Sequence, residues 1–565
     1  MRTDLLKATD RPRHMVGRVK QLEQIYHAII DPGDICRVVI VRGDGGLGKT
    51  RIIEETLRRL GHKQTLEIYG ESLPDDRWLH VLENVNFCDA QDLTNTESHA
   101  REYFLTTLGE SNAWNKPIRF DRFKTTNTRW RRLTNLGATH TLIESAAQEA
   151  EKAFWEDYYQ ATQKYRLLIP LDTAEQLAVV RSDWLLNEKL LDDDDLLSNT
   201  QQWLFKQIRL GKFRNTTFLI AGREKEGKPF FDSLDKAIAE AGDTCEKVIV
   251  SLDNLTLEET QLYFQALVSD WRKEYESEVA AEILPVLQDL LNNQEQLRAL
   301  HYLTGGQPVR LSLYTDLLIE GQRIPDLLLL SLEEIEARLQ QDKITLEDAR
   351  RKIEKEFINL LFRSDGSTRT QILQMLVRTP RGLTPEQLEY VIYSKSETSI
   401  DDWESQPDRV EKIKKELESI KTLSIVRSKA RQRVGLQDEI YRIYSEGVSE
   451  TEDSNIRERK ARKELYTVLE QFSEHRRTKL RKERSEYIKE DLKRIRLEEP
   501  RNILSTRLYI PLIEEQKRIE VAKNLLDAEL EHLHYALLLD PEKHYNETYY
   551  ELVNNQANTY YDAQL

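Results

Sequence analysis

Eight consecutive residues, Gly43 to Thr50, have the composition and spacing of a phosphate-binding loop. They match the pattern G-x-x-x-x-G-K-T without a gap, between an apolar run and a predicted helix. Glycines let successive backbone N–H groups turn toward a phosphate, and the following helix adds its positive end. Lys49 can neutralise the β- and γ-phosphates, while the Thr50 hydroxyl can hold Mg²⁺. The loop therefore predicts contacts with ATP or ADP from Gly43, Gly45, Gly46, Gly48, Lys49, Thr50 and Arg51.

Two acidic residues follow another apolar run, Leu167–Leu171. Enzymes with a phosphate-binding loop need an acid at the end of a neighbouring strand to orient the magnesium shell, and Asp172 stands at that place. Glu175, three residues later, is placed to orient an attacking water. The alternatives are that Asp172 caps a helix and that Glu175 stabilises a helix dipole. Pro170 is unusual inside a strand and favours an edge or a bulge.

A third apolar run, Thr216–Ala221, leads into Gly222 and Arg223. At the carboxyl edge of a parallel sheet, the Arg223 side chain would point into the crevice where ligands bind. A guanidinium there can sense a γ-phosphate; the alternative is a surface arginine in a loop. The candidate catalytic residues are thus Lys49, Asp172, Glu175 and Arg223, with Thr50 and Asp172 as magnesium ligands.

Apolar runs that alternate with helical segments predict the scaffold for these residues. The alternation is typical of a parallel, doubly wound α/β sheet. A long gap between the runs at 65–69 and 167–171 ends in an amphipathic helix, so we expect a helical insertion over about 72–163. The helix face comprises Ile143, Ala147, Ala150, Phe154 and Tyr158, and the runs are 37–41, 65–69, 167–171, 217–221 and 247–252.

The chain is long enough for several domains. We predict a winged-helix section because helices precede two short β-like pieces, Leu423–Val426 and Arg433–Leu436. Its Pro385–Tyr393 helix contains Glu386 and Glu389 but no Lys or Arg, which is poor for phosphate contacts. The predicted parts are a leader (1–13), the P-loop domain (14–255), an all-α helical lid (256–335), the winged helix (336–449) and a charged helical C-terminal region (450–565).

Composition argues against several classes of protein. The 565 residues carry 83 basic and 98 acidic side chains, a formal net charge of −15, so general nucleic-acid binding is not expected. The three cysteines have no metal-ligand spacing, which speaks against a zinc site or a disulfide framework. No apolar run approaches membrane-spanning length and no signal sequence is present, so we expect a cytoplasmic protein without a membrane partner.

The order of these motifs resembles that of the STAND ATPases, the NB-ARC and NACHT-like signalling ATPases, here of bacterial type. The resemblance covers about residues 14–449 and includes Leu252-Asp253-Asn254-Leu255-Thr256 after the Arg223 strand. It implies adenine contacts from Val16 and Arg18 and from Pro308 in Gly305-Gly306-Gln307-Pro308. It also implies a β-phosphate contact from Gln437, which stands where the family has a histidine.

The resemblance implies a switch with slow ATP hydrolysis. ADP would hold the nucleotide, helical and winged-helix domains closed, and a trigger would let ATP replace it. The rearranged chain would then form homo-oligomers or recruit a protein effector; bacterial antiviral defence is one setting that the resemblance suggests. Three alternatives remain open: an AAA-type motor or DNA loader, a regulator whose winged helix reads DNA, and a scaffold with an inactive nucleotide pocket.

Overall fold

The structure is a computed structural model in which the chain divides into two compact units between Leu361 and Phe362. The domain boundary that the sequence predicts at 335/336 stays a prediction. The helix Leu346–Leu361 falls in the first unit, where Arg310 Nε donates to its Glu354 carboxylate at 2.6 Å and both side chains are buried. The structure describes residues 16–30, 33–62, 67–68, 71–72, 84–93, 101–111, 113–135, 140–179, 200–225, 227–274, 278–363, 366–393, 406–421, 423–429, 432–448, 452–497, 512–541 and 543. The predicted leader lies outside these ranges.

A parallel sheet forms the centre of the first unit. Its strands lie in the order β4-β6-β7-β1-β8, and the short strand β5 also pairs with β6. The predicted α/β class is therefore confirmed. The strands are β1 (Cys36–Arg42), β4 (Val85–Phe87), β5 (Gln91–Asp92), β6 (Arg166–Asp172), β7 (Thr216–Ala221) and β8 (Cys245–Ser251).

Helices cover both faces of this sheet, which explains why its central strands β1, β6 and β7 are largely apolar and buried. Successive residues of β1 alternate between two cores: Val38 and Ile40 face one, while Val39 and Val41 face the other. The surrounding helices are α1 (Val19–Ile30), α2 (Lys49–His62), α3 (Arg101–Gly109), α4 (Asp121–Asn135), α5 (His140–Lys164), α6 (Gln176–Val179), α7 (Thr200–Arg209) and α8 (Lys228–Ala241).

The run at 65–69 does not supply a strand of the central sheet. Its described part, β2 (Glu67–Ile68), pairs antiparallel with β3 (Glu71–Ser72) in a separate sheet. The place beside β6 belongs to β4 and β5, which are three and two residues long. These strands lie within 72–163, so that region is not a purely helical insertion.

The amphipathic helix predicted at the end of this region packs directly on the sheet as part of α5. Phe154 and Tyr158 are fully buried, and the Tyr158 hydroxyl lies 2.7 Å from Thr216 Oγ1 at the start of β7. The predicted face is confirmed, with Ile143 only partly buried at its rim. This helix therefore supports the sheet that carries the candidate site.

A helical section completes the first unit. Its α12 helix begins at Pro308, directly after the Gly305–Gln307 turn, and packs against α14. The described helices here are α9 (Leu257–Glu274), α10 (Glu278–Asn292), α11 (Gln294–Thr304), α12 (Pro308–Ile319), α13 (Leu332–Asp342) and α14 (Leu346–Leu361).

The second unit contains three helices followed by an antiparallel hairpin. Leu383 and Val434 exchange two backbone hydrogen bonds of 2.9 Å, which join the segment before the second helix to the hairpin. Two long helices, α19 and α20, pack against each other. The elements are α15 (Thr368–Arg378), α16 (Pro385–Tyr393), α17 (Pro407–Ile420), β9 (Val426–Lys429), β10 (Arg433–Leu436), α18 (Asp438–Val448), α19 (Glu452–Leu497) and α20 (Leu512–Leu539).

Within the described ranges, none of these helices combines the length and apolar character needed to cross a membrane.

Candidate nucleotide-binding site

The phosphate-binding loop lies between the end of β1 and the start of α2. β1 pairs with β7 on one side and β8 on the other, so the loop emerges from the interior of the sheet. Helix α2 begins at Lys49, which places its N-terminal amides next to the loop, as the sequence predicted. Gly46 has φ +77°, and a Cβ on it would lie 2.5 Å from Val309 Cγ1. A side chain at Gly46 is therefore excluded both by backbone conformation and by space.

Four consecutive carbonyl groups of the loop accept hydrogen bonds. Lys49 Nζ donates to the carbonyls of Gly43 and Asp44, at 2.8 and 2.7 Å. The Gly45 carbonyl accepts from Gln307 Nε2 at 3.0 Å, and the Gly46 carbonyl from the Val309 N–H at 3.2 Å. In a trans peptide, the N–H points opposite to the C=O, so the bonds to the Gly45 and Gly46 carbonyls turn the N–H groups of Gly46 and Leu47 away from Gln307 and Val309. Successive amides turned to one side are what an anion-binding nest needs.

The two residues that follow Lys49 differ in their surroundings. Thr50 is exposed in the first turn of α2, where its hydroxyl is accessible to a magnesium ion. The Arg51 guanidinium faces two acids one helical turn further along α2: its Nη1 lies 3.6 Å from Glu54 Oε2, and its Nη2 lies 3.7 Å from Glu55 Oε2. The structure thus pairs Arg51 with acids of its own helix, and its contact with nucleotide stays a prediction.

Asp172 lies at the carboxyl end of β6, separated from β1 by the single strand β7. Its Oδ1 accepts a 3.0 Å hydrogen bond from the N–H of Thr173, which has φ +59°. A non-glycine residue in this region is uncommon and is often found at functional sites. Pro170 lies where the partner strand changes from β4 to β5, so its missing N–H falls at an interruption in the pairing.

Glu175 and Arg223 meet at the same edge of the sheet. The backbone N–H of Arg223 donates to Glu175 Oε2 at 3.1 Å, and Arg223 Nε lies 3.8 Å from Glu175 Oε1. Glu175 is buried, and burial raises the pKa of its carboxyl group, while Arg223 and Lys49 oppose that shift. The sequence singled out both residues but gave no sign that they pair, since their contact depends on the adjacency of β6 and β7.

The segment before α1 is attached to the region after β8. Arg18 is buried, has φ +68°, and donates through Nη2 to the Asp253 carbonyl. Burial lowers the pKa of its guanidinium, while Glu259 and Asp253 oppose that shift. Val16 is also buried. The structure therefore brings the predicted Val16–Arg18 segment to the Leu252–Thr256 motif; adenine contacts from it stay a prediction.

The helical section reaches the loop through its Gly305–Val309 segment. Pro308 is the first residue of α12, and its neighbours Gln307 and Val309 make the two contacts with the loop. Sequence reasoning placed Pro308 at the base and missed Gln307, because no local pattern marks a bond between residues 262 positions apart.

Gln437 lies in the second unit at the start of α18. Its side-chain amide donates to the Ser424 carbonyl, and its backbone N–H donates to the Ile425 carbonyl at 2.8 Å. The side chain is thus used in fixing the turn after the hairpin. Its predicted contact with a β-phosphate stays a prediction.

No protein-family model matches the chain, and no curated protein matches its sequence. Among solved structures, the fold is similar to a Walker-type ATPase of Pyrococcus abyssi, with 10% identity, 79% of this chain and 100% of that chain covered, and a TM-score of 0.33. Cdc6p from Pyrobaculum aerophilum has 11% identity, 79% and 97% coverage and a TM-score of 0.28. The ORC2 protein of Aeropyrum pernix has 13% identity, 78% and 97% coverage and a TM-score of 0.30. Similarity at this level does not assign a family.

Proposed function

We propose that the chain is an ATP/ADP-controlled switch of the STAND type that binds nucleotide with Mg²⁺. The observation that supports this most strongly is the convergence of three features at one edge of one sheet: the phosphate-binding loop with Lys49, Asp172, and the Glu175–Arg223 pair. The turned carbonyls and the positive φ of Gly46 fit a bound polyphosphate. Thr50 and Asp172 would hold the magnesium ion, which would neutralise phosphate charge.

The Glu175–Arg223 pair suggests how hydrolysis is kept slow. A buried glutamate with a raised pKa has the properties of a general base, but here one oxygen accepts from the Arg223 amide. A γ-phosphate near this edge would attract the Arg223 guanidinium and draw it from Glu175. Glu175 Oε1 would then lose its neighbouring cation and could orient a water, while Oε2 would stay bound to the Arg223 N–H. In this proposal, Arg223 both senses the γ-phosphate and restrains Glu175 in its absence.

We further propose that residues 366–448 form a winged-helix domain that serves as a nucleotide-sensing part of the switch. Three helices, a hairpin and the Leu383–Val434 bridge are the elements such a domain needs. Helix α16 is largely buried, so it cannot enter a DNA groove as it stands. Helix α17 is more exposed, and its four basic side chains are matched by four acidic ones: Arg409, Lys412, Lys414 and Lys415 against Asp408, Glu411, Glu416 and Glu418. This balanced charge favours a protein partner over DNA.

Homo-oligomerisation or effector recruitment would follow the exchange of ADP for ATP. Moving a closed population to an open one requires roughly a ten-thousandfold difference in affinity between the two states, about 5.5 kcal/mol. The trigger and ATP together would have to supply that difference. Bacterial defence is the setting we propose for such a switch.

The first test is to purify the protein without added nucleotide, denature it and identify what is released. Near-stoichiometric ADP is the expected result. Lys49→Ala should release none, because the variant lacks the cation that binds the phosphates, and its ATP affinity should fall by at least about 100-fold, or roughly 2.7 kcal/mol. An unchanged ATP affinity in this variant would refute the assignment of the loop. If the wild-type protein releases no nucleotide and hydrolyses added ATP rapidly, the alternative of an AAA-type motor would be favoured.

A further inference from the structure

The contacts between the phosphate-binding loop and the first turn of α12 do more than join two parts of the unit. Lys49, within the loop, supplies donors for the carbonyls of Gly43 and Asp44. The helical section supplies donors for the next two carbonyls, through Gln307 Nε2 and the Val309 N–H. The loop conformation is therefore completed by a part of the chain that follows it by about 260 positions.

The first turn of α12 directs two donors at the loop. Gln307 is the N-cap residue of α12, yet its side chain makes no capping bond to that helix. Pro308 has no N–H, so the first amide that the helix can offer is that of Val309. This amide donates to the Gly46 carbonyl at 3.2 Å. The Gln307 side chain and the first amide of the helix thus both donate to the loop.

Two close approaches fix the position of this segment. The Leu255 N–H donates to the Gly306 carbonyl at 2.9 Å, and a Cβ on Gly306 would lie 2.0 Å from the Leu255 carbonyl oxygen. Val309 is buried, with its Cγ1 in the space that a Gly46 side chain would occupy. The segment can therefore shift only if it separates from the loop.

We propose that Gln307 and the Val309 amide form a clamp that holds the phosphate-binding loop in its anion-binding conformation. Gln307 is a positioning residue in this clamp, since it acts through Gly45 and not on the ligand. Carbonyls held outward keep the intervening amides directed inward, where a phosphate would meet them. Because coupling between two events is reciprocal, nucleotide binding and seating of the α12 turn on the loop stabilise each other.

The clamp rests on the proposed nucleotide function for its effect on ADP, but its effect on the loop can be measured without nucleotide. The variant is Gln307→Leu, which removes the donor and keeps most of the volume. The matched control is Gln341→Leu, an exposed glutamine in α13 of the same helical section. Circular dichroism and thermal melting first establish that both variants fold.

Hydrogen–deuterium exchange of the nucleotide-free proteins is the first measurement. We expect amides of residues 43–48 to exchange about 5–10-fold faster in Gln307→Leu than in wild type or Gln341→Leu, since loss of one hydrogen bond leaves the loop less restrained. Equal exchange in all three proteins would overturn the clamp. If Gln307→Leu does not fold, Gln307→Asn tests the same bond, because its shorter amide would reach Gly45 poorly.

Dissociation of a fluorescent ADP analogue is the second measurement. We expect Gln307→Leu to release it about 5–10-fold faster than wild type, and ADP to protect residues 305–311 from exchange in wild type but much less in the variant. A wild-type release rate and wild-type protection in Gln307→Leu would overturn the clamp while leaving the nucleotide function intact. No binding of the analogue by wild type would instead refute the proposed function; the exchange measurement on the free proteins then decides the clamp by itself.

Discussion

Two buried glutamate–arginine pairs, one in each compact unit, are built very differently. Glu531 of α20 is 1% exposed and bonds Arg433 of β10, which is 8% exposed. Its Oε1 also accepts from Gln387 Nε2 at 2.7 Å. Glu175 is 4% exposed, but its guanidinium partner Arg223 is 21% exposed and approaches only to 3.8 Å. One carboxylate is surrounded by close side-chain donors, while the other is held by backbone amides and a more distant charge.

We propose that this difference separates an ion pair that maintains structure from one that serves the nucleotide site. A buried charge is tolerated where several donors compensate its lost hydration, as they do for Glu531. Glu175 has less compensation, so burial raises the pKa of its carboxyl group. A group whose charge is poorly compensated can exchange partners or protons at low cost. We therefore expect changes at Glu531 to alter stability and changes at Glu175 and Arg223 to alter chemistry.

The largest effect is expected from Glu531→Ala. Removing this carboxylate leaves the buried Arg433 and Gln387 without their shared acceptor, which typically costs about 3–5 kcal/mol. The second unit should then unfold at markedly lower urea concentration. The control is Glu529→Ala on the same helix, where the partner Arg481 is 53% exposed and the expected cost is about 0–1 kcal/mol. Equal losses in the two variants would contradict the structural role of the Glu531 cluster.

A loss of hydrolysis is expected from Glu175→Gln. The amide can still accept from the Arg223 N–H, but it cannot take a proton from water. We expect the single-turnover rate of ATP hydrolysis to fall about 100-fold, with ATP affinity changed less than about threefold. The rate is measured with enzyme in excess over labelled ATP. A wild-type rate would exclude Glu175 as the base.

A smaller effect is expected from Arg223→Met, which keeps the volume of the side chain and removes its charge. In wild type, we expect Arg223 to favour a non-hydrolysable ATP analogue over ADP. In the variant, the affinity for the analogue relative to ADP should fall about 5–20-fold. Calorimetric titration with each nucleotide measures it. Arg209→Met is the matched control, because Arg209 pairs with Glu240 on the surface. An unchanged ratio would remove the sensing role.

The sequence predicted most of the scaffold because its main strands are long apolar runs. β1, β6, β7 and β8 have six or seven residues each, whereas β4 and β5 are too short to produce a recognisable pattern. The residues of the candidate site were likewise predicted one by one, since each follows a strand or a glycine-rich turn. What the sequence did not predict are the partners. The Glu175–Arg223 pair follows from strand order, and the Gln307–Gly45 bond joins segments distant in the chain.

The smallest effect is expected on the pH dependence of stability. Burial raises the pKa of Glu175 in the folded state, so the folded protein binds this proton more tightly than the unfolded chain does. The residue therefore lowers stability progressively as pH rises above the unfolded value of about 4.3. Glu175→Gln removes that penalty because its amide does not ionise.

The apparent Tm of the first unit should consequently be higher in Glu175→Gln than in wild type at pH 7, and the difference should vanish below about pH 4. Each 1 kcal/mol corresponds to roughly 2–4 °C in a unit of a few hundred residues, so the shift is measurable by scanning calorimetry. A lower Tm for the variant at pH 7 would show that Arg223 and Lys49 compensate Glu175 fully. Glu175 and Glu531 would then differ only in the distances to their donors. The role of Glu175 as a proton acceptor would be decided by the hydrolysis rate of Glu175→Gln alone.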